Sequence, residues 1–448
     1  MQQSRAAFLE GHPLRQDIAT HPTYAGEFRC IGPACEDTCC QGWTVPIDQD
    51  TWKKYQGLPE SGLRSVIQAS VVRQPEPAKP VVFAMIRMNH ENQCPLLTPD
   101  RLCGIQAELG EQMLSHACHT YPRVIHSIGG VKETALTLSC PEAARLVLLT
   151  RSLRTPTPPD LAEQATHISE NSGNPLPPDF WAIRSTTLHL VRDSAYPLWQ
   201  RLFLLSVLCQ RLDAIARGEL KLSTLNFLAG FQDSVAGGTL RASMQSLPID
   251  PNAQVDIVLR LAGLMLHKSN IRPRFVECIR AFTTGIGNGP GSTLQSLTAH
   301  YNFAHDRYFQ PFVERYPWIL ENYLVNTILR CQFPYGKEGM VPGAVPSMSK
   351  EFALLTAQFT LIKGLLIGVA GFHREQFNAT HVIHTVQAAA KHFEHHPEFL
   401  SNAHTLLVES RMDGARGMAI LLRNATPEQP LVRRAPTSPS VQTQPPLA

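Results

Sequence analysis

No apolar run of signal-peptide type opens this chain; "MQQSRAAFLEGHPLRQDIATHPTY" is polar and repeatedly interrupted. That absence points to a cytoplasmic protein, where thiols stay reduced and a disulfide framework is out of place. There is no Cys-x2-Cys pair, so the paired knuckle of many structural zinc sites is missing. Nor does a glycine-rich turn follow a strand. The only glycine-rich stretch, "TTGIGNGPGST", follows the helical pattern "RPRFVECIRAF", and no acidic residue in a second strand follows about 20 positions later. It reads as a helix–helix loop, which excludes a Rossmann-like donor site. The net charge of +3 over 448 residues provides no concentrated basic face, so no nucleic-acid partner is expected. One apolar run is long enough to test as a membrane span, "FALLTAQFTLIKGLLIGVAG" (352–371). It carries Gln358 and Lys363 and lacks a flanking charge asymmetry, so it reads as a buried helix and no membrane partner is expected.

What the chain does contain is cysteine, unevenly placed. Eight of its eleven lie in the first 140 residues: Cys30, Cys35, Cys39, Cys40, Cys94, Cys103, Cys118 and Cys140. The other three, Cys209, Cys278 and Cys331, sit singly in apolar helical patterns and read as small buried hydrophobes. Eight thiols in a reduced compartment point to a metal site. Their spacing leaves zinc and an iron–sulfur cluster both open. Cys39 and Cys40 are neighbours, and neighbours in extended chain point to opposite sides, so one reads as a ligand and the other as support. His116 and His119 flank Cys118, as ligands, as donors behind the ligands, or simply bonded to backbone.

The organisation reads as α+β, with a small cysteine-rich metal-binding N-terminal domain (1–150) followed by a mainly α-helical domain (181–423). A Pro-rich linker (151–180) joins them, and a disordered tail (424–448) ends the chain. In the first part "VVFAMIRM" (81–88) and "VKETALTLSC" (131–140) read as strands. "GIQAELGEQMLSHACHTYP" reads as a helix stopped by Pro122. Beyond the linker, apolar residues recur with helical period, with helices expected near 222–234, 251–267, 272–283, 293–310, 312–331, 350–370, 380–395 and 398–412. His392, His395 and His396 have helical metal-compatible spacing but read as a solvated helix end.

The stretches "HPTYAGEFRCIGPACEDTCCQGWTVPIDQDTWKKY", "CPLLTPDRLCGIQAELGEQMLSHACHTYPRV", "LSCPEAARLVL" and "ENYLVNTILRCQFPYG" resemble the flagellin lysine-N-methylase (FliB-type) family. The cysteine pattern also resembles the wider YkgJ-type zinc- or iron-chelating domains. The resemblance implies a methyltransferase that uses S-adenosylmethionine to methylate lysine ε-amines of flagellin, assisted by a [4Fe-4S] cluster; zinc is the alternative metal, in a non-catalytic interaction or metal-handling protein. Carried onto this chain, the ligands come from the eight cysteines named above. The Cys-x3-Cys-x2-Cys triplet of radical S-adenosylmethionine enzymes is absent, since Cys35-x3-Cys39 runs directly into Cys40.

Methylating an amine has a chemical demand of its own. A lysine ammonium, pKa about 10.4, must lose a proton before its nitrogen attacks. Near the cysteines, Glu36, Asp37, His119 and Tyr121 are candidates to assist; Asp37 also suits a turn in the cysteine loop. In "ILENYLVNTILR", Glu321, Asn322 and Tyr323 share one turn and Asn326 lies one turn on. Polar groups in an apolar helix need partners, so these four either line a donor or substrate cleft or form a buried structural network.

Overall fold

The computed structural model describes residues 24–43, 45–75, 79–128, 131–153, 179–266, 272–341, 347–394 and 397–424. Nearly all of the expected linker and tail, together with His395 and His396, lie outside the described residues. The chain is mostly helical, with two small antiparallel sheets and no Rossmann-like sheet among the described residues.

The N-terminal part begins with a helical turn, α1 (Tyr24–Glu27), and the loop that carries Cys30 to Cys40. Strands β1 (Val45–Ile47), β2 (Val71–Arg73) and β3 (Ala84–Ile86) form a sheet in the order β1-β3-β2, with Val45 and Val71 both opposite Ile86. The strand expected over 81–88 contracts to Ala84–Ile86 because each neighbour offers only three paired residues. Helices α2 (Gln49–Gln56) and α3 (Gly62–Ser70) are capped by the side chains of Asp48 and Ser61, which accept from amides of the first turn. The single helix expected from Gly104 onward is instead three pieces: α4 (Gly104–Leu109), a 3-10 turn (Glu111–Met113) and α5 (His116–Thr120). Gly110, at φ 85°, ends the first, and Ser115 caps the last. Val45, Ile47, Tyr55, Ile67, Val71, Ile86, Cys94, Leu96 and Ile105 form a small core against which Cys40, Cys103 and Cys118 pack.

The hairpin β4 (Arg123–Ile128) and β5 (Val131–Leu136), with α6 (Pro141–Leu149), packs instead into the core of the helical body. That body comprises α7 (Phe180–Arg192), α8 (Leu198–Ala216), α9 (Thr224–Ala236), α10 (Arg241–Gln245), α11 (Pro251–Leu266), α12 (Pro273–Gly285), α13 (Leu294–Ala304), α14 (Gln310–Arg315), α15 (Trp318–Arg330), α16 (Gly336–Gly339), α17 (Met348–His373), α18 (Ala379–Phe393), α19 (Pro397–Glu409) and α20 (Ala415–Leu422). The helix expected to end near 310 runs on through a π turn (His305–Phe309) into α14, and the real break comes at Pro317. Pro311 removes one amide donor just after that wider turn.

The apolar run read as a buried helix is α17, at the centre of the body. It is the one stretch among the described residues long and apolar enough to cross a membrane, and 94% of its most apolar window is buried. Glycines make close crossings possible: a Cβ on Gly368 would strike Phe282, and one on Gly371 would strike the Gly285 carbonyl.

Candidate functional site

The cysteine loop is fastened to the helical body by a series of polar contacts. Lys391 on α18 donates to Asp37 Oδ2 (2.7 Å) and to the Thr38 carbonyl (2.7 Å). Gln387, one turn earlier, donates to Asp37 Oδ2 (2.8 Å) and the Ser139 carbonyl (2.9 Å). Arg272 donates to the Gly42 carbonyl, and Arg145 pairs with Glu36 at 2.8 Å. Burial opposes ionisation of Asp37, but Lys391, the Thr38 amide and Gln387 outweigh it, and its pKa is lowered. Burial pulls the Lys391 pKa down, and Asp37 opposes that pull.

Five of the eight cysteines, Cys39, Cys40, Cys94, Cys103 and Cys118, line one cavity of about 70 Å³. Hydrogen bonding to the backbone positions their segments. The Cys94 amide donates to the Cys40 carbonyl (2.8 Å), laying the two segments side by side. Leu97 and Cys103 pair across a turn, and Ser115 accepts from the Cys118 amide (3.3 Å). The Cys39 and Cys40 sulfurs are 4.0 Å apart, so both of the adjacent thiols face the cavity rather than opposite sides. Cys30, Cys35 and Cys140 do not line it; burial raises Cys35, with Cys30 adding to it, and raises Cys140, with Cys35 and Cys39 adding to it.

No carboxylate or imidazole is among the lining residues of the cavity; beside the five thiols its wall includes the polar side chains of Gln106, Ser115 and Tyr121. Burial pushes Cys94 up to about 11 and Cys118 up to about 12, and raises Cys103. Hydrogen bonding from Cys40 brings Cys39 down to about 7, with Lys391 helping, while the same bond raises Cys40. Each thiolate formed here raises its neighbours, so several can ionise together only around a cation. Among the described residues no three His, Cys, Asp or Glu side chains already stand in a metal-holding arrangement. The donor set nonetheless fits a soft, thiolate-held centre. Room for one water needs ~10–15 Å³, so this cavity accommodates more than a single ion.

A cleft of about 1420 Å³ lies between this module and the helical body. Trp43 and Ile86 line both spaces, so the cysteine cavity and the cleft share a wall. The Trp43 indole donates to the Cys39 carbonyl (2.6 Å) and stacks on Tyr121 (centroids 6.1 Å apart). The far wall carries Arg330, Lys337, Glu338, Lys350, Glu351, Glu394 and His404. Arg330 lies 3.3 Å from Glu394, which also accepts from Thr137, and Lys350 lies 3.0 Å from Glu338. Burial raises Glu351 to about 7.

Of the residues singled out in the sequence, Tyr121 lines the cysteine cavity, its hydroxyl 3.1 Å from Ser139 Oγ. Asp37 sits beside the cavity as an anchor of the loop. His119 is exposed, 3.4 Å from Glu111, and neither it nor His116 lines either space. The α15 quartet lies outside both. Glu321 pairs with Arg201 (2.7 Å), and Asn322 donates to the carbonyls of Val147 (2.9 Å) and Thr150 (2.6 Å). Asn326 bonds both backbone groups of Leu136 and accepts from Tyr24 (2.6 Å), while Tyr323 is buried. His392 is not solvated but buried, stacked on Phe275 (4.6 Å) with its ring nitrogen 2.6 Å from the Met265 carbonyl. Cys209 and Cys278 are buried as expected; Cys331 instead ends α15 on the cleft wall. Sequence reasoning missed Trp43, Lys391, Arg330, Glu351 and Glu394. A lysine inside the apolar pattern "VQAAAKHF" was a usable signal for Lys391; Glu351, in the first turn of a helix, had none.

Residues 184–421, more than half of the chain, match the family described as FliB lysine N-methylase C-terminal domain. The chain is 22% identical over 414 residues to lysine-N-methylases of Salmonella choleraesuis (strain SC-B67) and Salmonella typhimurium (strain LT2), covering 87% of this chain and 95% of each relative. It is 30% identical over 146 residues to the flagellar biosynthetic protein FliU of Salmonella muenchen, covering 30% of this chain and 79% of that one. No solved structure matches.

Proposed function

This chain belongs to the FliB lysine N-methylase family and is a lysine N-methyltransferase, and we propose that it methylates lysine ε-amines of flagellin, with S-adenosylmethionine as donor and an iron–sulfur cluster in the cysteine cavity. The observation that carries this reading is the wall shared by a cavity lined with five cysteines and a cleft large enough for a lysine and its donor. Cys39, Cys40, Cys94, Cys103 and Cys118 supply more than the four thiolates that a cubane cluster takes. Were only three of these cysteines to hold the cluster, its remaining iron would be free to bind the donor's amino-carboxylate. The protein's own part is to exclude water at the cavity, present Trp43 and Tyr121 as an aromatic wall, and hold the loop rigid through Lys391. The flagellar name of one relative favours flagellin as the protein substrate.

The test is anaerobic purification followed by iron and acid-labile sulfide analysis, then incubation with flagellin and S-adenosylmethionine and mass measurement of flagellin peptides. Iron and sulfide in near-equal amounts, with methyl increments on lysines, is the expected result. A colourless zinc protein sinks the cluster assignment. An intact cluster with unmodified flagellin sinks the donor or substrate assignment.

A further inference from the structure

We propose that Glu351 is the catalytic base of the cleft, the carboxylate that takes the proton from the substrate lysine before methyl transfer. This deepens the reading above and rests on it. The starting point is the set of three carboxylates that line the cleft. Glu394 is held by Arg330 at 3.3 Å and by Thr137, and Glu338 is paired with Lys350 at 3.0 Å and largely exposed. Glu351 alone of the three has no cation within ion-pair reach among the described residues. A carboxylate locked to an arginine is a poor proton acceptor, because the pairing stabilises the form it would have to leave.

The fold also makes a place for this side chain. Gly336 ends the "QFPYG" turn at φ 63°, and the atoms nearest to where a Cβ would project there are those of the Glu351 carboxylate. The missing side chain leaves the space that the carboxylate occupies. Burial, with Glu338 adding to it and Lys350 opposing, raises Glu351 to about 7. A base is most effective when its pKa lies near the working pH. The other ionisable side chains lining the cleft are those of Arg330, Cys331, Lys337, Glu394 and His404.

The step balances simply. The carboxylate accepts one proton from the ammonium. The freed nitrogen lone pair forms the new N–C bond as the S–C bond of the sulfonium donor breaks. That bond's electron pair stays on sulfur and cancels its charge. The proton then leaves Glu351 for solvent through the open cleft.

The experiment compares wild type, E351Q, E351D and H404Q as cluster-loaded full chains, on flagellin and on a lysine peptide in parallel. Circular dichroism and iron content confirm that each variant is folded and loaded. We expect E351Q to lose at least ~10²-fold in kcat, the lower end of general-base contributions, with little change in flagellin binding. Its rate should climb steadily with pH toward the lysine's own pKa of ~10.4, whereas wild type should level off above neutral pH. E351D should retain an intermediate rate and the wild-type profile. Equal kcat and an unchanged profile in E351Q overturn the proposal, as does transfer of the acid limb to H404Q. Wild-type methylation of the peptide but not of flagellin refutes the flagellin assignment alone, and the comparison on the peptide still decides for or against Glu351.

Discussion

Lys391 and Asp37 are 354 positions apart in the chain and 2.7 Å apart in the fold, and their contact fastens the cysteine loop to helix α18. Both side chains are largely buried, the lysine at 4% exposure. Removing one member of a buried pair strands the other charge at a cost of ~3–5 kcal/mol, whereas replacing both with apolar groups is often close to neutral. K391M should therefore destabilise strongly and K391M/D37L much less. Urea unfolding measures the difference, and limited proteolysis within 28–43 reports whether the loop has come away. Equal losses in the single and double variants would refute the pairing argument. The sign of the acid dependence also follows. Asp37 has a folded pKa below its unfolded value of ~3.9, so its contribution is complete above that value and is lost as pH falls through the lower folded one.

Cysteine replacement should divide into two classes. C94S, C103S and C118S remove donors from the cavity wall and should cost bound iron or zinc, read as metal content and as loss of visible absorbance. C209S and C278S remove buried thiols that do not line that cavity and should keep the metal while losing ~1 kcal/mol of stability. Metal loss in the second class equal to that in the first would detach the cofactor from this cavity.

The pattern behind these sites was only partly legible in the sequence. Helical period located α11, α12, α17 and α18 to within a few residues, because each has a continuous apolar face on one core. It failed over "GIQAELGEQMLSHACHTYP", where the positive-φ Gly110 and the Ser115 cap override the local period. The density of cysteines was plain, but their partition into five and three was not. That partition depends on the pairing of Cys94 with Cys40, a contact between segments more than fifty residues apart. Asn326 illustrates the opposite limit. An asparagine in an apolar helix suits a cleft or a buried network equally until Leu136, on another element, is seen to use both ends of its amide.

Two glycine-to-alanine changes should move stability in opposite directions. Each removes unfolded-state freedom and improves helix propensity, by up to ~1 kcal/mol in an open helix. Gly230, within α9, has nothing within 4 Å of the point its new methyl group would occupy, so G230A should stabilise by about that much. Gly285 ends α12 with the Gly368 backbone directly over it, and a rigid backbone cannot give way as a side-chain tip does. Overpacking costs ~1–3 kcal/mol and should win, so G285A should unfold at lower urea. The midpoints of the two urea curves, read against wild type, check both signs.

Lys363 gives the stability of the body a pH dependence at its core. The lysine lies in the middle of α17 at 5% exposure, and its ammonium donates to the carbonyls of Leu422 (2.8 Å) and Leu421 (3.3 Å) and to Asn424 Oδ1 (2.9 Å), closing the end of α20. Burial lowers its pKa to about 7, against ~10.4 in the unfolded chain. Between those values the unfolded chain holds more protons than the folded one, so raising the pH favours the fold, with a slope approaching ~1.4 kcal/mol per pH unit. K363M has no such proton to lose. The stability of wild type relative to K363M should therefore rise from pH 7 to pH 9, with other titrating groups cancelling in the difference. Urea unfolding of both proteins at each pH measures it. A constant gap would mean that the three oxygen partners keep Lys363 charged throughout, with hydrogen bonding outweighing burial.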